Sequence, residues 1–290
     1  MEDIERLQSR LNNIRTVEPI LDALRSISVS NWQVALRRQA DLSAYRAQLL
    51  AVLSALGADP TPRRAARRPS TASENGQRVA VLVIGSERGL CGGFNTTLVK
   101  RTGEYLAQQP APGQVELLAL GARLTRLLRR HKWALTWEGA LSVSALPPFA
   151  IARELNHRWQ VAYEELRLDA VDVIYNTYHK SGHYTTTVQR LLPPTLPEEA
   201  LEPPWPPPIV ETDPQRLRAR VRDQWTALHL YQVLLESAAA EHSARLQLME
   251  AATQNAERLI DELGQLVQSA RQQAITQEMQ ALAVGAGLTQ

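Results

Sequence analysis

Residues 85–95 read GSERGLCGGFN and set the only cysteine of the chain among four glycines, directly after an apolar run. A thiolate on a strand-to-helix turn, with backbone N–H groups close by, has a geometry suited to acyl transfer. That chemistry needs a base, and none is near in sequence: His131, His157, His179 and His183 are distant candidates. A phosphate cradle is the second use of clustered glycines. This stretch lacks both the Lys-Ser/Thr ending of a P-loop and the G-x-G-x-x-G spacing of a dinucleotide turn. The third reading is scaffold, and it is the expectation taken forward. Gly85, Gly89, Gly92 and Gly93 permit a tight turn and close packing of a helix against the sheet, and Cys91 is a small buried hydrophobe.

The elements around this turn must position it. Arg78–Gly85 (RVAVLVIG) is a continuous apolar run of the kind buried on both faces of a sheet, and Val115–Leu120 (VELLAL) is a second. Helical stretches are expected at about 94–109, 121–131 and 148–167. Val171–Tyr178 and Tyr184–Leu192 flank HKSGH, a turn that makes an antiparallel pair. Alternation of this sort predicts a small sheet covered by helices.

Two stretches interrupt the pattern. Residues 61–76, TPRRAARRPSTASENG, mix Pro, Arg, Ser and Gly without periodicity and read as an exposed loop. Residues 193–214, PPTLPEEALEPPWPPPIVETDP, hold too many prolines for helix or sheet to continue and read as a stiffer spacer.

Outside the linkers the chain is helical and long. From Gln215 to about Leu288 there is no proline. A 3/4 alternation picks out Trp225, Leu228, Leu235, Ala239, Leu246, Met249, Ala256, Ile260, Leu263, Val267, Ala270 and Ala274, with polar Gln232, His242 and Thr253 as exceptions. That is a coiled-coil seam. At 1.5 Å per residue such a helix runs on the order of 100 Å, longer than a compact domain is wide, so it is expected to project. Ile4, Leu7, Leu11, Ile14, Leu21, Leu24 and Ile27 recur at similar spacing and offer the partner. The expected architecture is α/β: a long antiparallel coiled coil of N- and C-terminal helices with an inserted small, Rossmann-like α/β domain. The corresponding segments are 1–60 (helix), 61–77 (linker), 78–193 (α/β), 194–214 (Pro-rich linker) and 215–290 (helix).

Composition excludes several functions. With 32 basic against 30 acidic side chains and a formal net charge of +2, no nucleic-acid or membrane-surface partner is called for. One cysteine cannot form an internal disulfide. No apolar stretch approaches the roughly 18 to 20 residues of a membrane span. MEDIERLQ at the start lacks the apolar core of a signal peptide, so a soluble chain beginning at its structured part is expected.

Three separated blocks now carry a resemblance. GSERGLCGGFNTTL (85–98), VQRLLP (188–193) and the C-terminal LLESAAAEHSARLQLMEAATQNAERLIDEL followed by RQQAITQEMQALAVGAG are similar, in this order, to the gamma subunit of F-type ATP synthases. The resemblance implies a central shaft rotating inside a ring of alternating alpha and beta subunits, with the epsilon subunit and the c-ring of Fo as further partners. It implies no chemistry, metal or cofactor on this chain, because the catalytic sites belong to the beta subunits. By motif, Arg271, Gln272, Thr276 and Glu278, with Leu24 and Arg25 on the other helix, are expected to touch the beta subunits. The end, AVGAGLTQ, is expected to turn in an apolar sleeve. The implied location is peripheral, on the cytoplasmic side of a bacterial plasma membrane.

The N-terminal helix departs from the family pattern N-T-x-K-I-T-K-A-M-x-M. This chain has TVEPILDALRSIS: Pro19 and Asp22 replace basic residues, and Leu24 and Ser26 stand where methionines are common. A bend or short break is therefore expected near Val17–Pro19, and the family implied is a divergent or second-copy ATPase. Two rivals come from other classes. A cysteine enzyme on residues 78–192 predicts that this fragment alone is active, and a free-standing coiled-coil adaptor predicts dimerisation through the seam.

Overall fold

The computed structural model describes residues 2–56, 77–109, 114–194 and 209–285. Most of both expected linkers and the last five residues, with most of the apolar end, lie outside these. Helix α1 spans Glu2–Ala55. It is followed by β1 (Val79–Ile84), α2 (Phe94–Ala107), β2 (Val115–Leu120), α3 (Ala122–Arg130), β3 (Leu135–Gly139) and α4 (Phe149–Glu164). Strand β4 (Ala170–Tyr178), a 3₁₀ turn (Lys180–Gly182), β5 (Tyr184–Leu192) and α5 (Pro214–Gly285) complete the order. The chain divides into two compact units, residues 1–28 with 245–290, and residues 29–244.

In the larger unit the sheet order is β3-β2-β1-β4-β5. Strands β1, β2, β3 and β4 run parallel, and β5 returns antiparallel to β4, pairing Tyr178 with Tyr184 and Ile174 with Val188. Side chains alternate across a strand, so β1 feeds two cores. Ala80, Leu82 and Ile84 face one that holds Leu155 and Trp159 of α4 together with Ala35, Leu230, Leu234 and Ala238 of the long helices. Val79, Val81 and Val83 face the other, with Phe94 and Leu98 of α2 and Leu124 and Leu128 of α3. Burial on both faces is why β1 reads as an unbroken apolar run. The sequence does not announce β3. It is a five-residue edge strand, LTWEG, with half-buried and exposed side chains in alternation, and it holds a single β-branched residue, too weak a propensity signal to separate it from loop.

The seam along α5 changes character along its length. Between Val221 and Ala240 most positions are buried, including Leu230, Val233 and Leu234 off the expected seam, because this stretch packs on the sheet as well as on α1. In the smaller unit burial is one-sided: Met249, Thr253, Ala256, Leu263 and Val267 are buried while their neighbours reach solvent. That 4-3-7-4 spacing is the expected heptad stripe, and within this unit the other helix supplies the cover, with Leu11 and Ser28 as its buried positions.

Of the bend or short break expected near Val17–Pro19, the break is not found: α1 is continuous, with Pro19 inside it. Proline removes only its own donor, and both Pro19 and Arg15, whose carbonyl loses that donor, lie on the exposed face, where water satisfies the oxygen. The residual steric and hydrogen-bond cost remains. Pro19→Ala is expected to raise stability by about 2 kcal/mol, somewhat less than the full helix-interior penalty because alanine also frees the unfolded chain. A urea midpoint that stays put or falls would contradict this.

Candidate functional site

The turn after β1 is a knot of short hydrogen bonds. The Ser86 amide donates to Asn95 Oδ1 at 3.0 Å, Asn95 Nδ2 donates back to Ser86 Oγ at 2.7 Å, and the Ser86 hydroxyl donates to the Arg88 carbonyl at 2.6 Å. Ser86 and Asn95 are buried, so satisfying every polar group here is obligatory. Cys91 lies inside this knot, 2% exposed, its sulfur 3.6 Å from Ser86 Oγ and 3.7 Å from Asn95 Nδ2.

The four histidines considered as bases sit elsewhere. His131 stacks on Trp133, His179 bonds Thr185 Oγ1 at 2.8 Å, and His157 and His183 are exposed. Among the described residues no group of three or more His, Cys, Asp or Glu side chains is placed to hold a metal ion.

The four glycines of the turn play different parts. A Cβ on Gly85 would lie 2.5 Å from Leu124 Cβ and 2.8 Å from Asn95 Oδ1, so this position lets α3 press on β1. Gly92 has φ +59°, the left-handed region. Around Gly89 and Gly93 a Cβ would meet nothing within 4 Å. Two supporting residues escaped sequence reasoning. Glu87 Oε2 accepts the Ala122 amide at 3.0 Å and the Leu141 amide at 2.8 Å, so the chain's own carboxylate takes the anion position at the start of α3 that a phosphate would use. Gly121, with φ +107°, leaves no room for a Cβ: it would lie 2.7 Å from the carbonyl oxygens of both Gly85 and Ser86. A glycine between an apolar strand and a helix was the available signal.

At the end of α5, Arg271, Gln272, Thr276 and Glu278 are all exposed. At about 100° per residue, Arg271 and Glu278 fall on one edge, and Gln272 and Thr276 on the other, of a stripe formed by Ile275, Met279 and Leu282. These three are 59%, 65% and 70% exposed. The Thr276 hydroxyl donates to the Gln272 carbonyl at 2.8 Å, which fixes its rotamer. The apolar stripe was missed by the sequence reading, although its i, i+4, i+7 spacing outside the buried seam was there to be seen. On α1, Leu24 is half-buried and Arg25 exposed, on a helix that also exposes Val17, Ile20 and Ile27. Among the described residues no hydrogen bond or ion pair joins Leu24 or Arg25 to the α5 set, and no helix is long and apolar enough to cross a membrane.

Comparison with known proteins bears on both places. Residues 3–287 match the family described as ATP synthase. The ATP synthase gamma chain of Moorella thermoacetica is 28% identical over 286 residues, 99% of each chain, and that of Solibacter usitatus 27% identical over 287 residues, again 99% of each. Among solved structures, a chain of the Euglena gracilis mitochondrial ATP synthase (OSCP, F1 and c-ring, rotational state 3) superposes with a TM-score of 0.65 at 14% identity, covering 98% of this chain and 96% of its own. A chain of the Tetrahymena thermophila mitochondrial ATP synthase central stalk and c-ring gives 0.57 at 21% identity, covering 80% and 99%. At such identities the structures speak for the fold, two long helices carrying a five-stranded sheet, while the family match spans nearly the whole chain. The chain belongs to the ATP synthase family, as a gamma chain, the central stalk of the F-type complex.

Proposed function

We propose that the chain turns inside a ring of alternating alpha and beta subunits and, with the epsilon subunit, joins that ring to the c-ring of Fo. It thereby couples ion flow to ATP synthesis or hydrolysis on the beta subunits. In this reading residues 1–60 and 215–290 form the shaft, 78–193 an α/β domain upon it, and 61–77 and 194–214 the connections. The observation that carries it is the face at the end of α5, where exposed Ile275, Met279 and Leu282 are flanked by Arg271, Glu278, Gln272 and Thr276. A stalk that presses on successive neighbours and releases them needs contacts that differ between rotor positions. A rotor position that favours one state of a subunit shifts its nucleotide affinity by the same free energy. Arg271 adds a forked partner for a carboxylate, and the apolar stripe adds adhesion without direction.

The chain has no catalytic role of its own here, and Cys91 is scaffold. Its place is the cytoplasmic face of a bacterial plasma membrane, held there by partners. On α1, Leu24 and Arg25 complete the contact with the beta subunits. That helix exposes Val17, Ile20 and Ile27 where the family's basic stretch stands, so its share of the contact is apolar rather than ionic, as in a divergent or second-copy ATPase.

The test is an assembled complex carrying Arg271→Ala and Gln272→Ala, with subunit stoichiometry confirmed. ATP-driven ion pumping is expected to fall at least about fivefold, the lower end of ordinary coupling energies. Unchanged hydrolysis and pumping would remove this surface from the mechanism. Recovery of the tagged chain alone, or as a homodimer without ATPase, would sink the shaft reading itself.

A further inference from the structure

Between the sheet and α5, inside the unit of residues 29–244, lies a chain of four polar side chains that the stalk reading does not use. Tyr175 on β4 is 4% exposed. Its hydroxyl oxygen lies 3.0 Å from Gln189 Oε1 on β5 and 3.3 Å from Glu236 Oε2 on α5. Gln189 Nε2 lies 2.9 Å from His229 Nε2, one helical heptad before Glu236. Each contact is within hydrogen-bond range, so the protons can be counted.

A phenol carries one proton, yet Tyr175 faces two acceptors. With the Gln189 amide donating to His229 Nε2, its Oε1 takes the tyrosine proton. The short contact between Tyr175 Oη and Glu236 Oε2 is then between two oxygens, and only the carboxyl can supply a proton for it. In this arrangement Glu236 is the neutral acid and His229 carries its proton on Nδ1. One other arrangement is complete. With Glu236 ionised, the Tyr175 proton points to the carboxylate, the Gln189 amide is turned over so that Nε2 donates to Tyr175, and Oε1 accepts from His229 Nε2–H. Gln189, His229 and Glu236 are half-buried, and mixed arrangements leave one of the four side chains without its partner within the chain.

We infer that Glu236, Tyr175, Gln189 and His229 form a two-position proton relay clamping the sheet to α5. Loss of one proton from Glu236 to solvent reverses every hydrogen bond of the chain, and the His229 ring releases its Nδ1 proton to solvent and takes one up at Nε2. The inference does not depend on the subunit contacts proposed above.

The surroundings favour the neutral arrangement at the acid end. Burial raises Glu236 above the usual carboxylate range, against opposing contributions from its hydrogen bond to Tyr175 and from the charge of His179 at the hairpin. Burial, with the nearby Arg46 guanidinium of α1, lowers His229 to about 4, and Tyr175 is pushed up to about 12 by burial and by Glu236, against an opposing hydrogen bond with Thr177. Arg46 itself is held by Gln232 and by the Trp225 ring, 4.7 Å from its centroid. His229 is thus held toward its uncharged form while Glu236 is held toward its protonated one. Because the folded state binds the Glu236 proton more tightly than the unfolded chain, the clamp's contribution is complete below the ordinary glutamate pKa and is lost as pH rises through the raised value. The sheet grips α5 most firmly in the protonated arrangement.

Nitrogen NMR of the full chain labelled at histidine reads the tautomer directly, with the His229 signal assigned by its loss in His229→Gln. As pH rises through the Glu236 titration, the wild type is expected to convert from Nδ1–H to Nε2–H in a single-proton step. In Glu236→Gln, which has no proton to lose there, His229 is expected to keep a single neutral tautomer across the same range. Tyr175→Phe, which removes one oxygen and cuts the relay, is expected to abolish the pH response while the fold persists. A protonated-carboxyl infrared band that is present in the wild type and lost in Glu236→Gln gives a second readout. One His229 tautomer throughout in the wild type, an identical switch in Glu236→Gln, or no such band at the acid end would overturn the inference.

Discussion

Gly121→Ala is expected to destabilise the folded chain by about 4 kcal/mol, and two separate effects contribute. Its φ of +107° is a backbone conformation that side chains rarely adopt, which costs on the order of 2 kcal/mol. The new Cβ would also sit 2.7 Å from two backbone carbonyl oxygens, those of Gly85 and Ser86. Backbone cannot swing aside as a flexible side chain can, and the overpacking adds on the order of 2 kcal/mol. The amide of Gly121 is meanwhile tied to the Gly139 carbonyl at 2.9 Å and that of Gly85 to the Leu120 carbonyl at 2.9 Å, so the clash lies where the ends of β1, β2 and β3 are joined. Thermal unfolding should move down by roughly 10 °C for a chain of this size. Gly93→Ala is the control: its φ is −78° and a Cβ there meets no neighbour, so no loss is expected. Equal effects at the two positions would show that glycine count, not the local geometry, matters in this turn.

That contrast marks where the sequence was legible. Apolar runs announced β1 and β2 because both faces of β1 and of Leu117–Leu120 in β2 are buried. The absence of proline and the 3/4 spacing announced α5. The turn was visible as a glycine cluster, but a cluster does not distinguish Gly85, which a helix presses on, from Gly89 and Gly93, which face open space. Nor does it point to Gly121 or to Glu87, whose partners are brought in by topology from 35 and 54 residues away. Strand β3 was missed because an edge needs little apolar content. At Pro19 a bend or short break was expected and the helix is unbroken, because local propensity counts the missing hydrogen bond and not the solvent available to the freed carbonyl. On the candidate surface, motif similarity named four polar residues of α5, whereas the exposed Ile275–Met279–Leu282 stripe between them emerged only once the buried seam had been located.

Asp172→Ala is expected to cost about 3 kcal/mol, and the reason is what it leaves behind. Asp172 is 4% exposed in a central strand. Its carboxylate accepts from the Tyr105 hydroxyl of α2 at 2.6 Å and from both Nε and Nη2 of Arg190 on β5, the latter at 3.0 Å, so one side chain ties three elements together. The ordinary cost of removing one partner of a buried pair is about 3 to 5 kcal/mol. Arg190 keeps 40% of its side chain in solvent and can turn outward, which places the loss at the lower end. Tyr105 cannot do the same, because its ring is packed among Phe94, Leu98 and Leu117, and a buried hydroxyl without an acceptor costs about 1 to 3 kcal/mol. It follows that Tyr105→Phe should recover part of the loss. The double variant should be more stable than Asp172→Ala alone by about 1 kcal/mol, although Tyr105→Phe in the wild-type background is itself destabilising. Denaturant titrations of the four proteins complete the cycle. Strict additivity would mean that Tyr105 and Asp172 act independently, and the 2.6 Å contact would then lose its role in holding α2 to the sheet.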